Sequence, residues 1–249
     1  MYYTFKSRVR YSECDQSGQL SLVNMINYFQ DCSVFQSEYV GQGVEKLEEE
    51  GKVWVLSSWK LEIDHFPMLG DEIEIGTFAI GFRGFYGFRN FFMKDAGGNY
   101  LVKVYSIWTF LDRQTGHPTK VQPEDVEAYG VEPELSMKDK SRKIPAPALD
   151  AAVEEKAPAA VLSYHLDTNH HVNNGRYVEI ASAYLPDDFQ VGSMHVSYKK
   201  AAVKGDMLYP VVFGMKDRYQ VALRNQQGED YCVCEFCRKE DAPVSEAGS

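Results

Sequence analysis

The second half of this chain repeats the first in outline, which restricts it to a fold built from one unit used twice. Asp15-x-x-Gly18-Gln19-Leu20-Ser21 stands against Asp167-x-x-His170-His171-Val172-Asn173, and each string leads into a helix-forming stretch. Further on, WKLEIDHFPMLGD ending at Asp71 stands against MHVSYKKAAVKGD ending at Asp206: an extended run, a break, Gly-Asp, and a second extended run. The Gly97-Gly98 turn before YLVKVYSIW matches the turn at Gly228 before YCVCEF. Three landmarks in one order indicate duplication even where identity is low.

Within the first copy, Tyr2 to Tyr11 reads as a strand. Leu22, Met25, Ile26, Phe29, Cys32 and Phe35 then recur at three- and four-residue intervals, which predicts a helix of about four to five turns behind a Ser21 cap. Tyr28, Val34 and Tyr39 widen its apolar arc, so other structure should wrap most of it. After a polar hairpin at Glu48 to Lys52 come VWVLSSWKLEIDHF, DEIEIGTFAI, FYGFRNFFMK and YLVKVYSIWTFLD, β-branched and aromatic runs divided by Pro67, Gly70, Gly84 and Gly97-Gly98. One helix followed by antiparallel strands is an α+β layer, and no nucleotide-binding glycine loop interrupts it. Pro118, Pro123, Pro133, Pro145, Pro147 and Pro158, six of the ten prolines, mark a surface linker with a short helix between the halves.

Composition narrows the function. The 249 residues are 44% hydrophobic and 25% charged, an ordinary globular balance. A formal charge of -10 speaks against general nucleic-acid binding, which needs a basic face. No apolar run reaches the roughly 20 residues of a membrane helix, and MYYTFKSRVRY lacks a signal peptide's apolar core, so a cytoplasmic protein is expected. Cys14, Cys32, Cys232, Cys234 and Cys237 form no secreted-domain framework and are expected to be reduced. Alternation on a strand places Cys232 and Cys234 on one face and Cys237 on the other, so their C-x-C-x-x-C spacing reads as buried thiols and no metal is expected. Cys14 has no evident base and reads as packing. His65, His117, His165 and His195 read as locally hydrogen-bonded.

Chemistry concentrates at Leu166 to Tyr184. Asp167, Asn169 and His171 alternate, and in an extended segment such residues share a face, with His170 facing away. Asn173 or Asn174 can cap a helix carrying Tyr177, Val178, Ala181 and Tyr184 and ending at Pro186. A carboxylate, a carboxamide and an imidazole beside a helix N-terminus supply what acyl transfer needs. The first copy has Ser17 and Gln19 where the second has Asn169 and His171, and Gln exchanges no proton near neutral pH. One catalytic site is therefore expected, with the first copy's broader apolar helix suited to an alkyl chain.

The string Asp167-x-Asn169-x-His171-Val172-Asn173-Asn174-x-x-Tyr177 resembles the active-site motif of acyl-acyl carrier protein thioesterases of bacterial type. Trp54-Val55-Leu56, Pro67 with Gly70-Asp71, Arg89, and Trp108 with Asp112 add matches in the family's order, from about Tyr3 to Phe236. The resemblance implies a tandem hotdog fold, each half a curled antiparallel sheet around a central helix. The expected division is an N-terminal domain at 1–123 with a degenerate site, a linker at 124–158, and a C-terminal catalytic domain at 159–249. It implies hydrolysis of fatty acyl thioesters of acyl carrier protein, without a cofactor, by Asp167, Asn169 and His171. An acyl-CoA thioesterase of the same fold and a non-catalytic acyl-binding module are the alternatives. Met25, Ile26, Phe29 and Trp54 are the expected acyl-chain pocket. The family's strand glutamate is missing: Ala201 stands at its place, and Glu179 is the candidate auxiliary acid. An acidic carrier needs a basic surface on this acidic chain. Lys138, Lys140, Arg142 and Lys143 form one candidate, Lys199, Lys200 and Lys204 another. A homodimer is left open.

Overall fold

The computed structural model describes residues 2–138, 141 and 143–239. In the first half, strand β1 (Tyr3–Arg8) precedes helix α1 (Leu22–Tyr39), a short helix α2 (Val44–Glu49), and strands β2 (Lys52–Ile63), β3 (Glu72–Arg83), β4 (Tyr86–Asp95) and β5 (Tyr100–Asp112). A connecting segment holds α3 (Pro123–Tyr129) and β6 (Ala152–Glu155). The second half has β7 (Ala159–Ala160), α4 (Asn174–Ser182), β8 (Val191–Tyr198), β9 (Met207–Gly214), β10 (Arg218–Arg224) and β11 (Asp230–Arg238).

The strand order shows the duplication. The first half runs β1-β3-β4-β5-β2 and the second β8-β11-β10-β9, with β7 and β6 pairing β9. Reversed, the second order equals the first: β7 pairs β9 antiparallel as β1 pairs β3. The copies join where β2 meets β8 antiparallel, Ser58 to Glu62 against Ser197 to Ser193, making one continuous sheet of two hotdog units. Side-chain alternation then sends Trp59, Leu61 and Ile63 to the helix side and Lys60 and Glu62 to the other.

The 18-residue α1 begins at the expected cap, where Ser21 Oγ accepts from Asn24 N. Its Met25, Ile26, Phe29 and Cys32 are fully buried against Trp59, Ile75, Phe91 and Val104. Phe29, Trp59 and Phe91 form a ring cluster with centroids 5.0 to 6.2 Å apart. Val178, Ala181 and Tyr177 of α4 belong to the same core. Two expectations are corrected. Val34, Phe35 and Tyr39 are exposed, because the sheet covers α1 on one side only, the side that carries Met25, Phe29, Cys32 and Gln36. Glu48 is not in a hairpin: Val44 to Glu49 complete a helical turn, and the reversal comes at Glu50 and Gly51, whose φ of 68° glycine adopts without strain.

The proline-rich segment is a strap across the face opposite α1. Glu132 N donates to Ala79 O at 2.9 Å, Leu135 N to Asn90 Oδ1 at 2.9 Å, and Lys138 N to Glu62 Oε1. It continues with Lys60 Nζ to Ser141 Oγ and Gln220 Nε2 to Pro145 O, and ends as β6 on β9, where no strand was expected. The strap is why Asn90, Lys60, His195, Glu235 and Gln220 are buried although they lie outside the core. Asn90 is fully buried, accepting from Leu135 and donating to Val104 O. Asn90→Ala should cost roughly 1–3 kcal/mol, the penalty for stranding buried polar groups, measured as a lower denaturation midpoint with unchanged slope.

Candidate active site

The same turn occurs at both pseudo-equivalent positions. In the first copy Asp15 N donates to Gln19 O at 2.8 Å, and Asp15 Oδ1 accepts from Ser17 N and Gln19 N. In the second Asp167 N donates to His171 O at 2.8 Å, and Asp167 Oδ1 accepts from Asn169 N at 2.8 Å and His171 N at 3.3 Å. Each turn needs a left-handed residue at one position: Gly18 at φ 81°, His170 at φ 60°. Each is closed by a bridge, Cys14 with Leu20 and Leu166 with Val172, and fastened by a bond to the preceding end of the next strand region, Leu20 N to Pro67 O and Val172 N to Ala202 O.

Asp167, Asn169 and His171 are thus brought together by a tight turn and not by an extended segment, which corrects the one-face argument. A carboxylate that accepts two backbone N–H groups across a five-residue loop favours the turn over a strand. Asp167 is half-buried, and among the described residues its hydrogen bonds go to this backbone and not to the His171 ring; Asn169, His170 and His171 are exposed. Asn173 caps α4 by accepting from Gly175 N.

Asn169 and Thr168 sit on the rim of a cavity of about 540 Å³ that otherwise belongs to the first half. Its walls are Ser33, Val34 and Ser37 of α1, Trp54 of β2, Trp108 of β5, Arg89 of β4 and Tyr129 of α3. This size suits a small organic ligand. Trp54 lies where the pocket was expected. Met25, Ile26 and Phe29 do not: they are packed core, and the cavity opens one to two turns further along α1.

Other expected residues are placed as follows. Ala201 is exposed, one residue before the Ala202 that pairs with Val172, so the position beside the turn carries only a methyl group. Glu179 is exposed on α4 and ion-paired with Arg176 at 2.7 Å. Lys199 and Lys200 follow the end of β8, next to Ala201, with Lys200 3.6 Å from Glu229, and Lys204 is exposed in the following turn. Lys138 and Lys143 are on or beside the strap, which crosses the sheet face away from α1 and the cavity; Lys140 and Arg142 lie outside the described residues. Cys232 and Cys234 share a buried face, Sγ to Sγ 3.8 Å. Burial pushes the Cys32 thiol up to about 12.

Gln30 was not singled out from sequence. Its Nε2 donates to Asn173 Oδ1 at 3.3 Å and its Oε1 accepts from Asn174 Nδ2 at 2.9 Å, so one amide of the first copy grips the start of α4 in the second. The signal was present as polar residues Asn27, Gln30, Ser33 and Ser37 at three- and four-residue spacing on an apolar helix. Gly175 is needed there, since a Cβ would lie 2.9 Å from Asn27 Oδ1.

Behind the turn, His165 Nδ1 accepts from Leu162 N at 3.1 Å, and burial, with Arg176 nearby, pushes its pKa below the usual 6.5. Folding therefore favours neutral His165. Its contribution is fully present above about pH 6.5 and is lost as the pH falls below that, through the depressed folded value. Denaturation of His165→Gln should show a smaller loss of stability between about pH 7 and pH 5 than the parent protein.

Comparison with known proteins gives consistent matches. The model of the acyl-ACP thioesterase N-terminal domain matches residues 1–129, and that of the C-terminal domain residues 150–236. A chloroplastic palmitoyl-acyl carrier protein thioesterase of Arabidopsis thaliana is 24% identical over 221 residues, 80% of this chain and 52% of the relative. A dodecanoyl-[acyl-carrier-protein] hydrolase of Cinnamomum camphora is 24% identical over 80% of this chain and 56% of its own length. The chain spans about half the length of these curated relatives. An acyl-ACP thioesterase structure from Bacteroides thetaiotaomicron superposes with a TM-score of 0.86 at 20% identity, covering 96% of this chain and 98% of that one. The 12:0-ACP thioesterase of Umbellularia californica gives 0.81 at 16% identity, covering 96% and 97%.

Proposed function

This chain belongs to the acyl-ACP thioesterase family, and we propose that it hydrolyses fatty acyl thioesters of acyl carrier protein, releasing free fatty acid and ending chain elongation. The observation that carries this reading is the placement of Asn169 on the rim of the first-half cavity, in the same turn as His171. The acyl chain enters the cavity and leaves its carbonyl at the rim. Asn169 Nδ2 donates to the carbonyl oxygen and stabilises the oxyanion. His171 takes a proton from water as the water oxygen bonds to the carbonyl carbon; the C–S bond then breaks and the proton passes to the departing thiolate. Asp167 acts as organiser, since its Oδ1 holds the turn that presents both groups.

Lys199, Lys200 and Lys204 are the proposed carrier docking surface, supported by their position beside Ala202, which pairs with the turn. Lys138 and Lys143 lie on or beside the strap, on the sheet face away from the cavity, which does not suit this role. The proposed division remains 1–123, 124–158 and 159–249, with β6 of the connecting segment lent to the second sheet. A cytoplasmic location belongs to the same proposal and is supported by five free cysteines. Among the described residues no helix is long and apolar enough to cross a membrane.

His171→Ala should lower kcat/KM on an acyl carrier thioester by roughly a hundredfold or more, and Gln19→Ala only slightly. Asp167→Asn keeps an oxygen acceptor for the backbone and should retain at least a tenth of activity; complete loss would move the base to the carboxylate. Comparing one acyl group on carrier protein and on coenzyme A separates the two thioesterase readings.

Ala201 favours one second reading, an acyl-binding module without turnover. Fatty acid binding with no hydrolysis of any thioester would establish it. A folded Ala201→Glu variant that gained turnover would then identify the missing carboxylate as the cause.

A further inference from the structure

The acyl chain and the groups that act on its carbonyl are held by different copies. The cavity belongs to the first half, whereas Asn169 and His171 stand on a turn of the second. A misplacement of about 1 Å between such parts costs a reaction roughly a hundredfold, so whatever fixes the turn against α1 bears on catalysis.

Gln30 makes that connection. Gly175 N can only donate, so the Asn173 side-chain atom facing it at 2.8 Å is the oxygen. The same oxygen lies 3.3 Å from the Gln30 amide, which therefore presents its nitrogen there and its oxygen to Asn174 Nδ2 at 2.9 Å. One orientation satisfies all three amides. Asn174 is also held through its backbone, where its O accepts from Tyr198 OH at 3.0 Å. Only buried Val172 separates Asn173 from His171, which leaves little slack between this clamp and the turn. On α1, Ser33 of the cavity wall donates through Oγ to Gln30 O at 2.7 Å, so the clamp sits one helical turn from the cavity.

The clamp is one-sided. Counted from the aligned caps Ser21 and Asn173, the α4 counterpart of Gln30 is Ser182. Ser182 Oγ donates to Glu179 O within its own helix at 3.1 Å, and Ser21 Oγ accepts from Asn24 within its own. Both turns have the same backbone, so a device needed for folding alone would be expected at both. It is found at the turn that carries the imidazole.

We propose that Gln30 is a positioning residue: through Asn173 and Asn174 it holds His171 and Asn169 in place against the cavity of the first half. This rests on the thioesterase reading above.

The test uses Gln30→Met, which keeps the length of the side chain without its hydrogen bonds. On an acyl carrier thioester kcat should fall roughly ten- to a hundredfold with KM within about twofold of the parent's, and fatty acid affinity, read from the fluorescence of Trp54 and Trp108 on the cavity wall, should be unchanged. Asn174→Ala should cause a similar fall and the double variant little more, because both remove one contact. Ser182→Ala should match the parent. Amide hydrogen exchange gives a readout without turnover: His171, Gly175 and Arg176 N–H should exchange several times faster in Gln30→Met, while Ser17 and Gln19 N–H in the first turn keep the parent's rates. An unchanged kcat, a loss confined to KM, additive losses in the double variant, an equal loss in Ser182→Ala, or exchange that rises equally in both turns would each overturn the proposal. If Gln30→Met does not fold, Asn174→Ala is judged by the same rates and exchange. If the parent hydrolyses no thioester, the enzyme reading fails, and the exchange comparison still decides whether Gln30 holds this turn.

Discussion

Five residue pairs between β2 and β8 determine how the rest of this molecule is arranged. Each half alone has a sheet with an open edge and a helix covered on one side, and open edges invite further pairing. Pairing the edges antiparallel removes both at once, continues one sheet through the junction, and sets α1 and α4 side by side on one face. The site follows: the turn before α4 reaches the cavity beside α1, so the second copy's Asn169 closes a space walled by the first. Gln30 and its two asparagine partners then fix the register between the helices.

The two copies keep the same backbone and differ in what they carry. Asp15 and Asp167 accept equivalent backbone donors, and Gly70 and Gly205 stand at equivalent left-handed turns. Fold therefore depends on the aspartates, glycines and strand patterns common to both, whereas chemistry depends on residues present in one. Ser17 and Gln19 leave the first turn structurally intact without an imidazole. The first copy instead contributes the cavity, lined by Trp54, Arg89 and Trp108.

Local patterns were readable from sequence and long-range ones much less so. The α1 cap at Ser21, the four long strands of the first half and the pairing of Asp15 with Asp167 all rest on contacts within a few residues or on a repeat. Alternation misses the turn at Asp167, because it says nothing about a carboxylate folding back onto its own backbone. Periodicity places the cavity too early on α1, because it marks an apolar face without saying which part of it is packed core and which part lines a space. The strap's path depends on Asn90, Glu62 and Gln220, polar residues of distant strands that read as solvent-facing until a segment covers them. That coverage is a property of topology, not of any local window.

His170 shows what distinguishes a working turn from a relic. Where the first copy uses Gly18, the second keeps a side chain at φ 60°, a conformation that costs a non-glycine residue of order 1 kcal/mol or more. Glycine would relieve that strain but would also enlarge the set of shapes available to the loop before folding and around its native form. With a Cβ at that position, the loop has fewer alternatives than a glycine would allow, and Asn169 and His171 on either side inherit its restricted motion. The less comfortable backbone thereby acts as a splint, trading a little stability for a turn that wanders less.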